Sequence, residues 1–281
     1  KNPTTNYGPF YESPDVSDSD YIDGEVCEKT IQDLHRLKDM DQPFFLACGF
    51  VRPHLPFYAP KKYWDMYDRD EIELADNRFR PIDAPDALKA SGEVLMYGLR
   101  GTDYNSENFH KVARHGYYAC VSYVDNLIGK ILDTLDELQL RDDTIVVLWG
   151  DHGWLLGEHD FWSKHYLLHE ALRSTLIISA PGMNQNEKTD SIVELIDIYP
   201  TLCDLTGIKT PSNIKGKSMK AILRNPENPG KSAAFSRFLD GDSVITENYT
   251  YTEYKVGSKT EKMLYDLKKD PQENKNVVND P

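Results

Sequence analysis

The sequence predicts an α/β protein, a mostly parallel sheet flanked by helices, with a small antiparallel sheet after it. Three observations carry this. First, a long amphipathic stretch over 108–138 runs into a short β-branched segment at 144–149, Thr-Ile-Val-Val-Leu-Trp. A helix feeding a strand in this way is the crossover that parallel sheets need. Second, 174–179 (Ser-Thr-Leu-Ile-Ile-Ser, stopped by Ala-Pro-Gly) is another apolar run. Uninterrupted runs of this kind mark strands covered on both faces. Third, the pattern changes to alternation at 233–239, 243–246, 249–255 and 262–267. Alternation reads as half-buried antiparallel strands. The expected layout is an α/β domain over 1–210, then a connector and small α+β subdomain over 211–281.

The remaining elements follow in chain order. The first twenty residues are rich in Pro, Ser and Asp and read as a loop. Val26, Ile31, Leu34 and Leu37 give 23–38 an apolar face at helical spacing. Phe-Phe-Leu-Ala-Cys-Gly-Phe at 44–50 reads as the first buried strand, with Cys48 inside it as a small hydrophobe. Residues 52–101 show little periodicity and read as long loops with short helices; a connection of that length inside a domain is usually functional. In 108–138 the expected face is Tyr117, Val121, Val124, Ile128, Ile131 and Leu135, with a break near Gly129. Tyr117, Tyr118 and Tyr123 are read as core packing rather than substrate stackers. A helix over 193–205 is expected to be interrupted at Pro200 and ended by Thr206-Gly207. Residues 211–230 are a Pro/Gly/Asn-rich connector.

Composition narrows the function. The 281 residues carry 32 Lys and Arg against 46 Asp and Glu, a formal charge of −14. That balance argues against nucleic acid and against long polyanions bound along the surface. An anionic substrate therefore needs a local cationic pocket, for which Arg52, His54, Lys61, Lys62 and Lys164 are candidates; Lys61 and Lys62 are better read as solvated. No segment is long and apolar enough to span a bilayer. Cys27, Cys48, Cys120 and Cys203 are scattered, with no close pair suggesting a zinc knuckle or redox motif.

The chemistry concentrates in Gly150-Asp-His-Gly-Trp-Leu-Leu-Gly-Glu-His-Asp-Phe-Trp-Ser-Lys164. It follows a strand directly, where open α/β sheets place their ligands. Asp151 offers a hard oxygen and His152 an imidazole, half of a metal site. Lys164 is placed to bind a substrate oxyanion. The plain alternative for the pair is a strand-to-loop turn with Asp151 capping the backbone. Trp154 and Trp162 are read as packing residues, Glu158 as a loop cap or a partner of His159, and His165 and His169 as structural.

This string, with Pro43–Phe57 and Leu264–Val277 in the same order, resembles the type I, formylglycine-dependent sulfatases, most closely their iduronate-2-sulfatase branch. The resemblance implies an alkaline-phosphatase-like α/β fold, here in part, and hydrolysis of sulfuric esters of sugars or glycosaminoglycan ends. It implies Asp151 and His152 as metal ligands and Ca²⁺ as the ion, with Mg²⁺ or Mn²⁺ also compatible. It implies that Lys164 holds sulfate oxygens and His54 donates a hydrogen bond or proton, with His159 and Arg52 as weaker substrate contacts. Periplasmic, secreted or lysosomal placement is expected of such proteins, and no export signal is present in this chain.

One part of the family pattern is missing. Its formylglycine is made from a Cys or Ser in Cys/Ser-x-Pro/Ala-x-Arg, and none of the four cysteines is followed by that pattern. Cys48 has Arg52 at the right distance, but Phe50 stands at the Pro/Ala position. No serine fits either. The nucleophile is expected upstream of this chain, which is read as the C-terminal part of a sulfatase and as inactive alone. An N-terminal fragment of the same enzyme is then an expected partner, beside the sulfated sugar. Two other readings stay open: a phosphoryl-ester hydrolase of the alkaline-phosphatase-like group, and an inactive remnant that binds sulfated carbohydrate.

Overall fold

The computed structural model describes residues 7–40 and 42–280; residues 1–6 of the expected N-terminal loop, Asp41 and Pro281 lie outside the described residues. The chain forms two compact units, one of residues 1–76 and 92–144, the other of 77–91 and 145–281. The boundary expected at 210 falls inside the second unit.

In the first unit, β1 (Tyr11–Glu12) pairs in parallel with β2 (Phe57–Tyr58). Helix α1 spans Ile22–Lys38, α2 Lys61–Trp64 and α3 Glu107–Glu137. The α1 face carrying Cys27, Thr30 and Leu34 is buried, and the Cys27 thiol donates to the Leu127 carbonyl of α3 at 3.4 Å. The Ser106 side chain caps α3 by accepting from Phe109 N. Asp18 organises the centre of this unit. Its carboxylate, buried but held below the usual range, meets Lys62 at 2.8 Å, Lys130 at 2.6 Å and the Tyr63 hydroxyl at 2.8 Å. Burial pushes its pKa the other way, and the two lysines and the phenol outweigh it.

Helix α3 departs from the expectation in two ways. It runs unbroken through Gly129, because the buried Leu127 and Leu135 on either side hold that turn against the unit. Its most buried stripe runs through Phe109, Val112, Gly116, Cys120, Tyr123 and Leu127; of the expected face Leu135 is buried, Tyr117, Val124, Ile128 and Ile131 are half-buried, and Val121 is exposed. Gly116 sets the closest approach on this stripe: a Cβ there would come within 2.8 Å of Phe57 and 2.9 Å of Trp64. The helix approaches β2 and α2 on its smallest residue. Tyr123, read as core, is fully buried and donates to the Asp18 carbonyl at 2.8 Å.

The strand expected at 44–50 is not formed. Those residues have no ladder partner among the described residues, Phe45 is 83% exposed, and Cys48 is exposed rather than buried. A β-run buries its side chains only through neighbouring strands, and here it has none.

The second unit begins with β3 (Val146–Trp149), followed by the short pair β4 (Leu155–Leu156) and β5 (Trp162–Ser163), helix α4 (His169–Leu172) and β6 (Leu176–Ser179). β3 pairs with β6 antiparallel, Val146 opposite Ser179 and Trp149 opposite Leu176. The mostly parallel sheet is therefore not assembled among the described residues, and Trp149 and Ile177 are about half exposed. Helix α5 spans Ile198–Thr206 and α6 Lys220–Arg224. Pro200 does not interrupt α5; it sits in the first turn, where its missing N–H is no loss. Gly207, at φ 73°, ends the helix in the left-handed conformation expected of it.

The C-terminal antiparallel sheet forms as the alternation predicts, with the order β10-β9-β8-β7 from strands Ala234–Phe238 (β7), Gly241–Ile245 (β8), Tyr249–Val256 (β9) and Lys259–Asp266 (β10). Its inner face supplies Tyr254, Met263 and Tyr265, which pack on Leu155, Phe161, Tyr166, Leu167 and Leu168. The sheet is thus the floor on which the 155–171 loop rests. Among the described residues no helix is long and apolar enough to cross a membrane.

Candidate active site

The residues singled out from the sequence fall in both units: Arg52 and His54 in the first, Asp151, His152, His159 and Lys164 in the second.

The turn after β3 owes its shape to Gly153. A Cβ at that position would lie 1.9 Å from the Glu170 carbonyl oxygen, and Gly153 N donates to Ala171 O at 2.8 Å. Only glycine permits this approach. His152 stands beside it with Nδ1 2.8 Å from the Gly153 carbonyl, so Nδ1 carries the proton. Its Nε2 then faces Asp151 Oδ2 at 3.6 Å. A carboxylate oxygen and a ring nitrogen at this separation can both serve one cation. Oxygen and nitrogen donors bind cations at about 2.0–2.6 Å, so this separation fits two neighbouring ligands of one ion. Asp151 is 85% exposed and open to further donors. Among the described residues no group of three or more His, Cys, Asp or Glu converges, so the pair is a partial donor set.

Lys164 reaches the same neighbourhood. Its Nζ lies 4.9 Å from the centre of the Trp154 ring, and Trp154 in turn lies 6.0 Å from the His152 ring. Trp154, half-buried, therefore neighbours both the ammonium and the imidazole, while Trp162 is packed away at 1% exposure. The loop leading to Lys164 is strained: His159, Asp160 and Ser163 all have positive φ, at 58°, 56° and 87°. Non-glycine residues in this region cost about 1–3 kcal/mol each and persist where the surroundings over-determine them. Here the surroundings are the buried core on the C-terminal sheet.

His159 is part of that support. It is 3% exposed, and burial lowers its pKa against the pull of nearby carbonyls. It borders a cavity of about 30 Å³ with Asn77, Glu158, Gln272 and Glu273. That is room for one or two water molecules. Asn77 Oδ1, His159 Nδ1 and Glu273 Oε1 make no well-formed hydrogen bond among the described residues. Glu273, 2% exposed, takes the His169 N–H at 2.7 Å, and its pKa is raised to about 7 by burial. Glu158 caps the loop by accepting from Leu156 N at 2.5 Å. His165 contacts Ser91 Oγ at 3.1 Å.

In the first unit, the His54 loop is clamped from α1: buried Asp23 accepts Val51 N at 2.8 Å and Arg52 N at 3.0 Å. The peptide bonds before Pro53 and Pro56 are cis. Arg52 spends its guanidinium on the Tyr58 carbonyl at 3.2 Å and the His54 carbonyl at 3.1 Å, holding the loop. His54 has Nδ1 2.7 Å from the Leu55 carbonyl and Nε2 3.3 Å from Glu93 Oε1. Lys61 and Lys62 lie exposed on α2, paired with Asp65 and Asp18. Glu93 and Glu273 went unnoticed in the sequence. Glu93 sits in a stretch without periodicity, and nothing local marks Glu273 as the acid that turns inward.

With this geometry in place, the comparisons define the class. The sulfatase family model matches residues 2–208, and the C-terminal model of N-sulphoglucosamine sulphohydrolase matches 157–281. The chain belongs to the sulfatase family. It is 32% identical over 278 residues to a sulfatase of Formosa agariphila, covering 98% of this chain and 53% of that protein. It is 30% identical over 273 residues to human iduronate 2-sulfatase, covering 83% and 48%. The chain spans about half the length of the curated relatives it matches. A structure holding D-glucosamine-2-N,6-O-disulfate as its substrate superimposes with TM-score 0.80 at 21% identity, covering 92% of this chain and 66% of that one. The phosphonate monoester hydrolase of Agrobacterium radiobacter gives 0.82 at 24%, covering 99% and 60%. The fold is alkaline-phosphatase-like, a mixed α/β architecture with an antiparallel sheet at the C-terminus.

Proposed function

We propose that this chain is the C-terminal part of a sulfuric ester hydrolase of the iduronate-2-sulfatase type, acting on sulfated sugars or glycosaminoglycan ends. The observation that carries the reading is the grouping of Asp151, His152, Trp154 and Lys164 on one braced loop. Asp151 and His152 would hold a divalent cation, Ca²⁺ by resemblance, which when bound neutralises charge on a sulfate group. Lys164 pairs with a sulfate oxygen, and the Trp154 face keeps the ammonium from wandering. His54 is the proton donor for the departing oxygen. His159 orients the loop from below instead of touching substrate, and Arg52 braces the His54 loop.

The formylglycine nucleophile is proposed to reside on an upstream segment, without which this chain does not turn over. The half-exposed β3–β6 pair and the unpaired 44–50 run support that partner, since both present strand surface of the kind a neighbouring strand covers. A phosphoryl-type hydrolase is the second reading, favoured by the phosphonate monoester hydrolase among the solved neighbours. A sulfated-carbohydrate-binding remnant is the third.

Intact-mass spectrometry of the natively purified protein, followed by assay on a sulfated monosaccharide and a phosphonate monoester, separates the three. A co-purifying formylglycine-bearing fragment with sulfate-ester turnover is the expected result. Preferential cleavage of the phosphonate would sink the sulfatase reading. Binding of sulfated sugar by this chain alone, with no second fragment and no turnover, would select the remnant.

A further inference from the structure

We infer that the cleft around Arg69, in the first unit, is a binding site for a small sugar acid. The guanidinium grips the carboxylate, and neighbouring oxygens receive the hydroxyls. The site draws on none of the side chains in the proposed ester chemistry. The cleft has a volume of about 450 Å³ and is lined by Ser13, Trp64, Tyr67, Asp68, Arg69 and His115, together with the Lys61–Asp65 ion pair. That is ample for a molecule of monosaccharide size and far more than a single ion needs.

Arg69 carries the assignment. It opens a single helical turn, Arg69–Glu71, which Lys111 of α3 ties down by donating to the Asp70 carbonyl at 2.9 Å. The Arg69 Nε–H donates to His115 Nδ1 at 3.2 Å. A guanidinium N–H is always a donor, so Nδ1 accepts and Nε2 carries the ring proton. Nε2 passes that proton's hydrogen bond to the Trp64 carbonyl at 2.7 Å. Burial lowers the His115 pKa, the Trp64 carbonyl pulls the other way, and the Arg69 charge adds to the lowering. The ring is packed against Trp64 and Tyr67, with centroids 4.8 Å and 6.2 Å away. One edge of the guanidinium is thus fixed, and its two terminal amino groups are left to bind.

Among the described residues those two groups form no hydrogen bond or ion pair. A chain with 46 acidic residues leaves this half-buried fork without a carboxylate. Such a planar fork matches a carboxylate through two parallel N–H···O bonds. The acids of the cleft favour a particular kind of anion. Asp65 is neutralised by Lys61 at 2.5 Å, and Asp68 spends one oxygen on the Asp70 N–H at 2.9 Å. The second Asp68 oxygen and the exposed Ser13 hydroxyl are uncommitted among the described residues. Both accept from hydroxyl groups. A bare anion meets the Asp68 charge with nothing to offer it. A hydroxylated carboxylate satisfies the aspartate and the arginine together, and the half-buried Tyr67 ring gives its C–H face a surface to pack on.

The test is a ¹⁵N NMR titration of the chain as it stands with D-glucuronate, with D-glucose and sodium sulfate as controls at constant ionic strength. Glucuronate should shift the Arg69 Nε–H signal and the backbone amides of residues 67–71 saturably, with a Kd on the order of 1 mM. Glucose, which lacks the carboxylate, should leave them in place. Arg69→Lys keeps the charge but loses the fork, and should weaken glucuronate binding about tenfold. If that variant fails to fold, the wild-type titration decides. Signals of 67–71 that stay put with glucuronate, or move equally with glucose, would overturn the inference. Sulfate that shifts the same signals as tightly as glucuronate would show an adventitious ion only and overturn it as well. No readout here involves turnover, so failure of the sulfatase reading leaves this result untouched.

Discussion

The strands nearest the candidate chemistry and the strands farthest along the chain have opposite fates. The 44–50 run and the β3–β6 pair are the more hydrophobic, yet they are the open ones, with Phe45 83%, Trp149 51% and Ile177 57% exposed. The β7–β10 sheet is the less hydrophobic in sequence, yet it closes on the core, with Met263, Tyr265, Thr250 and Thr252 fully buried. Hydrophobicity states what a strand can bury; neighbours decide whether it does. A closed sheet and an open one should therefore respond differently to substitution.

The largest contrast is expected at Lys231, which anchors the edge of the closed sheet. Its ammonium meets Glu194 at 2.5 Å and Asp197 at 2.7 Å, all three side chains being at most 15% exposed, and Glu194 also accepts Phe235 N of β7 at 3.0 Å. Burial opposes the lysine's charge, but the two carboxylates more than offset it and raise its pKa. Lys231→Met leaves the buried Asp197 and half-buried Glu194 carboxylates without their cation, a loss of about 3 kcal/mol. Urea unfolding would show it as a lowered midpoint, and an unchanged midpoint would mean the triad contributes little.

Next in size is a pH effect at Glu273, beneath the Lys164 loop. Burial raises its folded pKa from 4.5 to about 7. The folded state then holds a proton the unfolded chain releases, so this group's stabilisation is full below about pH 4.5 and is lost as pH rises through about 7. The change is on the order of 3 kcal/mol. His159 works the other way, because its lowered pKa makes the fold lose stability as pH falls through the ordinary histidine range. Comparing melting temperatures of wild type and Glu273→Gln from pH 4.5 to 8 isolates the glutamate. The difference between the two proteins should grow with pH and then level off. A constant difference would show that Glu273 is charged throughout.

The smallest effect belongs to the open region. Phe45→Ser should alter the stability of the chain by no more than about 0.5 kcal/mol, since an exposed side chain loses little. The same substitution should weaken retention of the proposed upstream fragment in a pull-down. A large drop in melting temperature would instead place Phe45 in a core the isolated chain already has.

Much of this molecule was legible before its structure. The alternation after residue 233 located all four strands of the terminal sheet, because a period of two needs only one covered face and a hairpin partner close in sequence. The glycine-flanked Asp151-His152 pair and Lys164 stand out in the sequence by residue type, and the structure places them on one loop around Trp154. Tertiary structure decided the rest. Gly116 lets α3 approach Phe57 and Trp64 closely, the 44–50 run has no ladder partner among the described residues, and Glu273 is buried against His169 N, distant in sequence. Local pattern fixes which residues can bury or bind. Which of them do depends on contacts made across the chain, and these exist only once it has folded.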